Sequence, residues 1–75
     1  MAEDDIYVER WYYKSGELKS ETPYVNDEKN GIKKEYYESG ELKSETPYEN
    51  GKINGVVKEY DESGELKENL HTKMV

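Results

Sequence analysis

Hydrophobic and polar residues alternate along two stretches near the start of the chain, residues 6–13 and 18–24. In the first stretch Ile6, Val8 and Tyr12 fall on one face of an extended chain, and the intervening residues fall on the other. A period of two with β-branched and aromatic residues is typical of β-strands. No stretch shows the i, i+3, i+4, i+7 spacing of an amphipathic helix. The pattern therefore predicts an all-β chain.

The alternating stretches recur with a period of 24 residues, because residues 12–35 and 36–59 agree at 17 of 24 positions without a gap. A third copy begins at Tyr60 and diverges after Lys67. Tandem repeats of this length indicate one supersecondary unit stacked on copies of itself. The expected organisation is an acidic N-terminal tail at residues 1–5 and one repeat domain at residues 6–75, with units near 12–35, 36–59 and 60–75, the last an atypical capping tail.

The stretch Lys14-Ser15-Gly16 joins the first two predicted strands in one of two registers. A two-residue loop would pair Tyr13 with Leu18, whereas a three-residue loop with Gly16 in the left-handed region would pair Tyr12 with Leu18. The three-residue loop is favoured because it places Val8, Tyr12, Leu18 and Tyr24 on one face. The same reasoning predicts structural turn positions at Gly16, Gly40 and Gly64, and an Asn-Gly turn at Asn50 and Gly51.

Together these elements predict about six strands in a single twisted antiparallel meander of tandem β-hairpins. Stacked copies then align residues of the same type into ladders that are expected to form the core: Val8, Ile32, Val56; Tyr12, Tyr36, Tyr60; Leu18, Leu42, Leu66; Tyr24, Tyr48. The opposite face is expected to carry solvated charge pairs: Lys19 with Glu21, Lys33 with Glu35, Lys43 with Glu45.

The composition is acidic and poor in hydrophobic residues, with a net charge of −7 and 32% hydrophobic residues. Eight tyrosines recur at fixed phase, which argues for a folded chain. An acidic balance argues against direct binding to nucleic acid or anionic membranes, since both need clustered Lys and Arg. The acidic N-terminus has no apolar run, so a cytoplasmic location is expected. No stretch approaches the roughly 20 apolar residues of a membrane span.

Catalytic chemistry is not indicated anywhere in the chain. There is no Cys, which excludes disulfides and thiolate metal sites, and His71 is the only His. The serines occupy repeat positions in turns and strands, where a structural role is the more common one. No nucleophile and base can be assembled from these residues. We therefore expect no enzyme activity, no cofactor and no metal site.

The aromatic residues Tyr7, Trp11, Tyr13 and Tyr37 fall by alternation on the face opposite the Leu ladder. Trp11 breaks the repeat, because the other copies carry Glu35 and Glu59 at its position. Trp and Tyr are frequent anchors of binding hot spots, so these four residues are candidate partner-binding residues. The alternative is that Trp11 covers the N-terminal edge of a small sheet as an aromatic lid.

Five glutamates surround the predicted hairpin turns and would align along one side of the stacked units. This acidic rim consists of Glu17, Glu38, Glu41, Glu62 and Glu65. Solvation of a surface edge is the simplest interpretation. The functional interpretation is complementarity to a basic partner, because charged rims accelerate encounter and select against wrong partners.

The sequence from Tyr36 to Tyr60 reads YYESGELKSETPYENGKINGVVKEY. It resembles the MORN repeat variant found in the YwqK-type antitoxin family, above all in its Gly, Tyr and Asn-Gly positions, and the likeness extends over residues 8–67. It implies a stack of β-hairpins in an elongated twisted sheet, and a non-enzymatic protein with an antitoxin or interaction role. Two stretches depart from the family pattern: Asn26-Asp27 replaces Asn-Gly, and residues 68–71 replace the ExxY segment.

These observations predict a protein-binding module, most concretely an antitoxin or immunity-like inhibitor of a basic protein partner. Two alternatives stay open. One is an acidic mimic of nucleic acid that inhibits a nucleic-acid-binding enzyme, and the other is a structural or self-assembling MORN-type scaffold. Because an isolated small sheet is only marginally stable, a homodimer is as consistent with the pattern as a monomer.

Overall fold

The computed structural model describes residues 4–72, and the surroundings of side chains in residues 4–67, as one open antiparallel sheet. The strands are β1 (Ile6–Tyr12), β2 (Leu18–Val25), β3 (Glu28–Lys29), β4 (Gly31–Tyr36), β5 (Leu42–Glu49), β6 (Lys52–Ile53), β7 (Gly55–Tyr60) and β8 (Leu66–Thr72). The six longer strands follow the order β1-β2-β4-β5-β7-β8, and the short strands β3 and β6 pair with β2 and β5. This confirms the predicted all-β meander of hairpin units.

The two ends of the predicted organisation, residues 1–3 and 73–75, lie outside the described residues. Of the N-terminal tail at 1–5, only Asp4 and Asp5 are described, and both precede β1 without strand structure. Asn26 holds them, since its side-chain Oδ1 accepts from the Asp5 N–H at 3.0 Å and its Nδ2 donates to Asp4 at 3.0 Å. Residues 73–75 of the third unit also lie outside the described part.

The three hairpin turns have the predicted three-residue geometry. Tyr12 pairs with Leu18, and the backbone N–H of Gly16 donates to the Tyr13 carbonyl at 2.9 Å. Gly16 has φ +97°, which a residue with a Cβ adopts only with strain. The second and third units repeat this turn, with Gly40 at φ +98° and Gly64 at φ +95°.

The connections between units are tight two-residue turns. Asn50 and Gly51 have φ values of 51° and 84°, and they link Glu49 to its strand partner Lys52. Two successive positive φ values define the mirror-image hairpin turn, for which Asn-Gly is the preferred pair. In the first unit Asn26 and Asp27 adopt the same conformation, with φ 51° and 67°. Asn50 and Gly51 therefore form the turn between the second and third units.

A β-bulge at Lys19 reverses part of the predicted assignment of faces. Trp11 pairs with Ser20 while its neighbour Tyr12 pairs with Leu18, so Lys19 is one extra residue in β2. The bulge moves every later residue of β2 to the face opposite the one that simple alternation predicts. Tyr24 therefore lies opposite Tyr7 and not with Leu18. The same shift recurs in the other two hairpins.

The sheet thus has two distinct faces. The ladder face carries Ile6, Val8, Tyr12, Leu18, Ile32, Tyr36, Leu42, Val56, Tyr60 and Leu66. It also carries one row of charges that crosses the strands in the order Arg10, Glu21, Lys34, Glu45, Lys58. The tryptophan face carries Tyr7, Glu9, Trp11, Ser20, Thr22, Tyr24, Lys33, Glu35, Ser44, Thr46, Tyr48 and Glu59. Of the predicted charge pairs, Lys33 and Glu35 form one at 3.7 Å.

The expected hydrophobic core does not exist in the described part of the chain. No hydrophobic residue is buried there, and the buried residues are Ser20, Thr22 and Ser44 in the middle of the sheet. The reason is the architecture: the molecule measures 46 × 34 × 13 Å, so it is a single layer with no second layer to cover either face. The prediction that the Tyr and Leu ladders form a core is therefore wrong for the single chain.

Candidate binding surface

The acidic rim lies along one end of the sheet. In a meander every second turn returns to the same end, so the turns after β1, β4 and β7 lie side by side. All five rim glutamates are exposed. Adjacent turns are close, because a Cβ added to Gly64 would lie 3.4 Å from the Glu41 carboxylate. The structure therefore brings the five rim residues together at one end of the sheet.

One further carboxylate at this end belongs to Asp61, which is not among the residues that the sequence pattern predicts. Its Oδ1 accepts from the Ser63 hydroxyl at 2.6 Å, the Ser63 N–H at 3.0 Å and the Glu65 N–H at 3.1 Å. These hydrogen bonds, that of the Ser63 hydroxyl above all, lower the pKa of Asp61. The anion is thus fixed in its turn, whereas the rim glutamates project into solvent.

Trp11 lies near the rim end of the edge strand β1, on the tryptophan face. Its side chain is 58% exposed, so the ring is offered to solvent. Its strand partner is the buried Ser20, and Ser20 is paired in turn with Glu35 of the next unit. A small hydroxyl beside the indole leaves its face open. Trp11 does not act as a lid over a core, because the described part of the chain has no hydrophobic core.

Tyr13 and Tyr37 are half-buried and bind the following unit. The Tyr13 hydroxyl donates to the Tyr36 carbonyl oxygen at 2.7 Å, and the Tyr37 hydroxyl donates to the Tyr60 carbonyl oxygen at 2.8 Å. The ammonium groups of Lys19 and Lys43 lie over the two rings, 5.6 and 5.7 Å from their centroids. These contacts give both tyrosines a structural role between units, in addition to the binding role predicted from their face.

Tyr7 lies at the other end of β1, away from the rim. Its ring stacks on that of Tyr24 with 5.1 Å between centroids and an interplanar angle of 5°. Its hydroxyl donates to Asp27 at 3.2 Å. Desolvation, followed by this hydrogen bond, raises the pKa of Tyr7. The structure therefore separates Tyr7 from Trp11 and the rim.

The tryptophan face also has a shallow cleft of about 90 Å³. It is lined by Glu35, Tyr37, Lys43, Ser44, Glu59, Tyr60 and Lys67. The Ser44 hydroxyl donates to Glu35 at 2.9 Å, which makes it a structural donor at the buried centre of the sheet. Among the described residues no three His, Asp or Glu side chains are grouped so that they could hold a metal ion. No helix in that part is long and apolar enough to span a membrane.

Most of the chain is similar to one known family of repeats, in three consecutive segments. The sequence model described as the MORN repeat variant matches residues 8–26, 29–50 and 53–74. The segment boundaries fall in the inter-unit turns that contain Asp27 and Gly51. No curated protein and no solved structure matches the chain.

Proposed function

Because the chain belongs to the MORN repeat variant family, whose repeats are non-catalytic modules that bind proteins or membranes, we propose that it binds a basic protein. The binding surface is the acidic rim together with Trp11 on the adjoining end of β1. In its most concrete form the protein is an antitoxin or immunity-like inhibitor that masks a basic toxin. The observation that carries the proposal is the alignment of five exposed glutamates on three consecutive turns.

The distribution of charge favours a basic protein as the ligand of this surface and disfavours an anionic lipid membrane. Of the turn residues at the rim end, only Lys14 is cationic, whereas positions 38 and 62 of the later copies are glutamates. Carboxylates aligned along one edge raise the encounter rate with a positively charged partner and repel phospholipid headgroups of like charge. The rim therefore favours protein among the two ligand classes of the family.

Trp11 supplies the apolar anchor that a charged rim lacks. Exposed glutamates contribute mostly to the rate of association, since each surface ion pair stabilises a complex by only about 0–1 kcal/mol. A large ring that is excluded from water on binding contributes much more, and Trp is the residue most enriched in hot spots. The exposed side of Trp11 lies next to the rim, so both terms act on the same partner.

The test compares two variants that separate these terms. Glu38→Gln/Glu41→Gln/Glu62→Gln removes charge from the rim without changing side-chain shape, and Trp11→Ala removes the anchor. Val57→Thr serves as a matched control, because it alters a strand residue far from the rim by an isosteric change. Each chain is used to capture protein from cells of its source at low and at high salt.

The expected result is one stoichiometric basic protein that wild type and Val57→Thr retain at low salt. The rim variant associates about tenfold more slowly and Trp11→Ala dissociates faster. Trp11 is the only Trp, so its fluorescence reports occupancy directly. The captured protein, expressed alone, should arrest growth, and coexpression of this chain should restore it. The proposal would be overturned if the amount of captured protein were the same at low and high salt and with the rim variant. It would also be overturned if the chain bound only anionic vesicles.

A further inference from the structure

The ladder face exposes an apolar surface that is independent of the rim. Seven large hydrophobic residues are exposed in the described part of the chain, and five of them lie on this face. They are Ile6, Val8, Tyr12, Ile32 and Leu66, with exposed fractions between 43% and 72%. These residues form two rows, one on each side of the charge row, and exposed apolar rows of this size are typical of an interaction surface. The remaining two, Tyr7 and Trp11, lie on the tryptophan face.

The charge row in the middle of the ladder face identifies what can cover it. From β1 to β7 the row reads Arg10, Glu21, Lys34, Glu45, Lys58, with each residue opposite the next in the strand pairing. The signs alternate without exception. Although the net charge of the whole chain is −7, this row contains three cations and two carboxylates and is nearly neutral. An acidic chain thus presents one face on which a second copy is not repelled.

We propose that two copies of this chain pack their ladder faces together as a two-sheet sandwich. The two-fold axis runs parallel to the strands and passes between β4 and β5. This operation places β4 of one copy against β5 of the other, and β2 against β7. Facing sheets in sandwiches are about 10 Å apart with strands within about 30° of each other, which suits this arrangement.

The two-fold axis places the charge row of one copy opposite the charge row of the other, with residues of opposite sign facing each other. Lys34 faces Glu45 of the second copy, and Glu21 faces Lys58 of the second copy, so each long side chain meets one of opposite sign. The carboxylates already have partners within the chain: Arg10 Nε lies 3.0 Å from Glu21, and the Tyr60 hydroxyl donates to Glu45 at 3.1 Å. Burial of Glu21 and Glu45 therefore leaves neither carboxylate without a partner.

The apolar rows on either side of the charge row are complementary under the same axis. Each tyrosine of the rim-end row faces a leucine: Tyr36 faces Leu42 of the second copy, and Leu18 faces Tyr60 of the second copy. In the other row Ile32 faces Pro47 of the second copy. Large and small residues therefore alternate across the interface, which allows interdigitation.

The alternative two-fold axis, perpendicular to the strands, is excluded by repulsion between like charges. It would bring each strand against its own copy, so that Arg10 faces Arg10 and Lys34 faces Lys34 of the second copy. The area of the face also supports a sandwich, because the outline of a sheet of 46 × 34 Å exceeds the roughly 800 Å² that each partner buries in a stable interface. With the proposed axis, parallel to the strands, both acidic rims lie at the same end of the dimer.

The first experiment is a mass measurement on the intact chain by sedimentation equilibrium. We expect twice the 8.8 kDa of the single chain, and a thermal midpoint that rises with protein concentration. A folded monomer at all concentrations, with a midpoint independent of concentration, would overturn the proposal. This measurement needs no variant and does not depend on the identity of a partner.

Matched variants locate the interface. Val8→Thr/Ile32→Thr keeps β-branched residues in the strands but removes apolar contact from the ladder face, and the dimer dissociation constant should rise about a hundredfold. Val57→Thr is the control on the opposite face and should leave the dissociation constant unchanged. Equal effects of the two variants, or weakening by Val57→Thr alone, would overturn the assignment to the ladder face.

A distance measurement distinguishes the two axes. The chain has no Cys, so Glu9→Cys provides a single site for a spin label in the middle of β1. With the proposed axis the two labels lie at opposite edges of the sandwich, separated by at least the width of six strands, about 24 Å. The perpendicular axis places β1 over β1, and a label separation set only by the sheet spacing would overturn the proposed arrangement.

Discussion

The hydroxyl of Tyr37 donates a 2.8 Å hydrogen bond to the carbonyl oxygen of Tyr60, 23 residues further along the chain. Tyr13 makes the same contact with Tyr36 at 2.7 Å. Each bond joins one unit to the next at the rim end, where β2 and β4, or β5 and β7, would otherwise be held only by their ladders. In the third copy Asp61 occupies this position and accepts hydrogen bonds from its own turn.

Removal of one of these hydroxyls should destabilise the fold. Tyr37→Phe leaves the Tyr60 carbonyl without its donor, and we expect the free energy of unfolding in urea to fall by about 1 kcal/mol. Tyr12→Phe is the matched control, because that side chain is 58% exposed. An equal loss of unfolding free energy in the two variants would show that the hydrogen bond between units does not contribute to stability.

The turn glycines should differ in how costly a Cβ is. Gly40 has φ +98° with nothing within 4 Å of a Cβ, so Gly40→Ala adds only backbone strain of about 1–2 kcal/mol. Gly31 has φ +122°, and its Cβ would meet the Pro23 ring at 2.8 Å. The midpoint of thermal unfolding, followed by circular dichroism, should therefore be lower for Gly31→Ala than for Gly40→Ala. The midpoint of Ser15→Ala should be close to that of wild type. The reverse order would contradict the geometry of the turn before β4.

The fold should lose stability in alkali. Desolvation, with hydrogen bonds to carboxylates, raises the pKa of Tyr7, Tyr24, Tyr36 and Tyr60 above 10.0. Because the folded state holds these protons more tightly, their stabilisation is complete below pH 10 and declines as the pH rises through the folded pKa values. The unfolding midpoint should therefore fall above pH 10, and less steeply for Tyr60→Phe. A flat profile from pH 8 to beyond pH 11 would contradict the shifts.

Reversal of one sign in the charge row should be more damaging than its removal. Glu45→Lys creates three adjacent cations with Lys34 and Lys58 and deprives the Tyr60 hydroxyl of its acceptor. We expect a loss of about 1–2 kcal/mol by urea unfolding. Glu45→Gln keeps the acceptor and should lose less than half of that. Similar values for both variants would mean that the alternation of signs has no energetic role.

The strand order and the hairpin turns could be predicted from the sequence because few residue types satisfy them. The shared face of Val8, Tyr12 and Leu18 predicts the pairing of Tyr12 with Leu18, and Gly16 then occupies the loop position that requires a positive φ. The face of Tyr24 could not be predicted in the same way. A bulge at Lys19 adds one residue without any local signal, since a Lys is compatible with a regular strand position as well.

The candidate site was predictable in part for a similar reason. The broken repeat singles out Trp11 as a candidate, its exposure follows from its place on the edge strand, and the alignment of the rim follows from the meander. The contacts of Tyr13 and Tyr37 depend on how one unit sits against the next, which alternation alone does not define. A signal existed in the repeat: tyrosine stands at this position in the first two units, and Asp61 stands there in the third.

The consecutive strand order has a mechanical consequence. Ile6 and Thr72 lie at the same end of the sheet but on its opposite edges. A force applied between them pulls across the strands, so it loads the backbone hydrogen bonds of one edge at a time instead of shearing a whole strand. The sheet should therefore peel open strand by strand at low force, and each hairpin unit would release a step of similar length, as a soft molecular tether does.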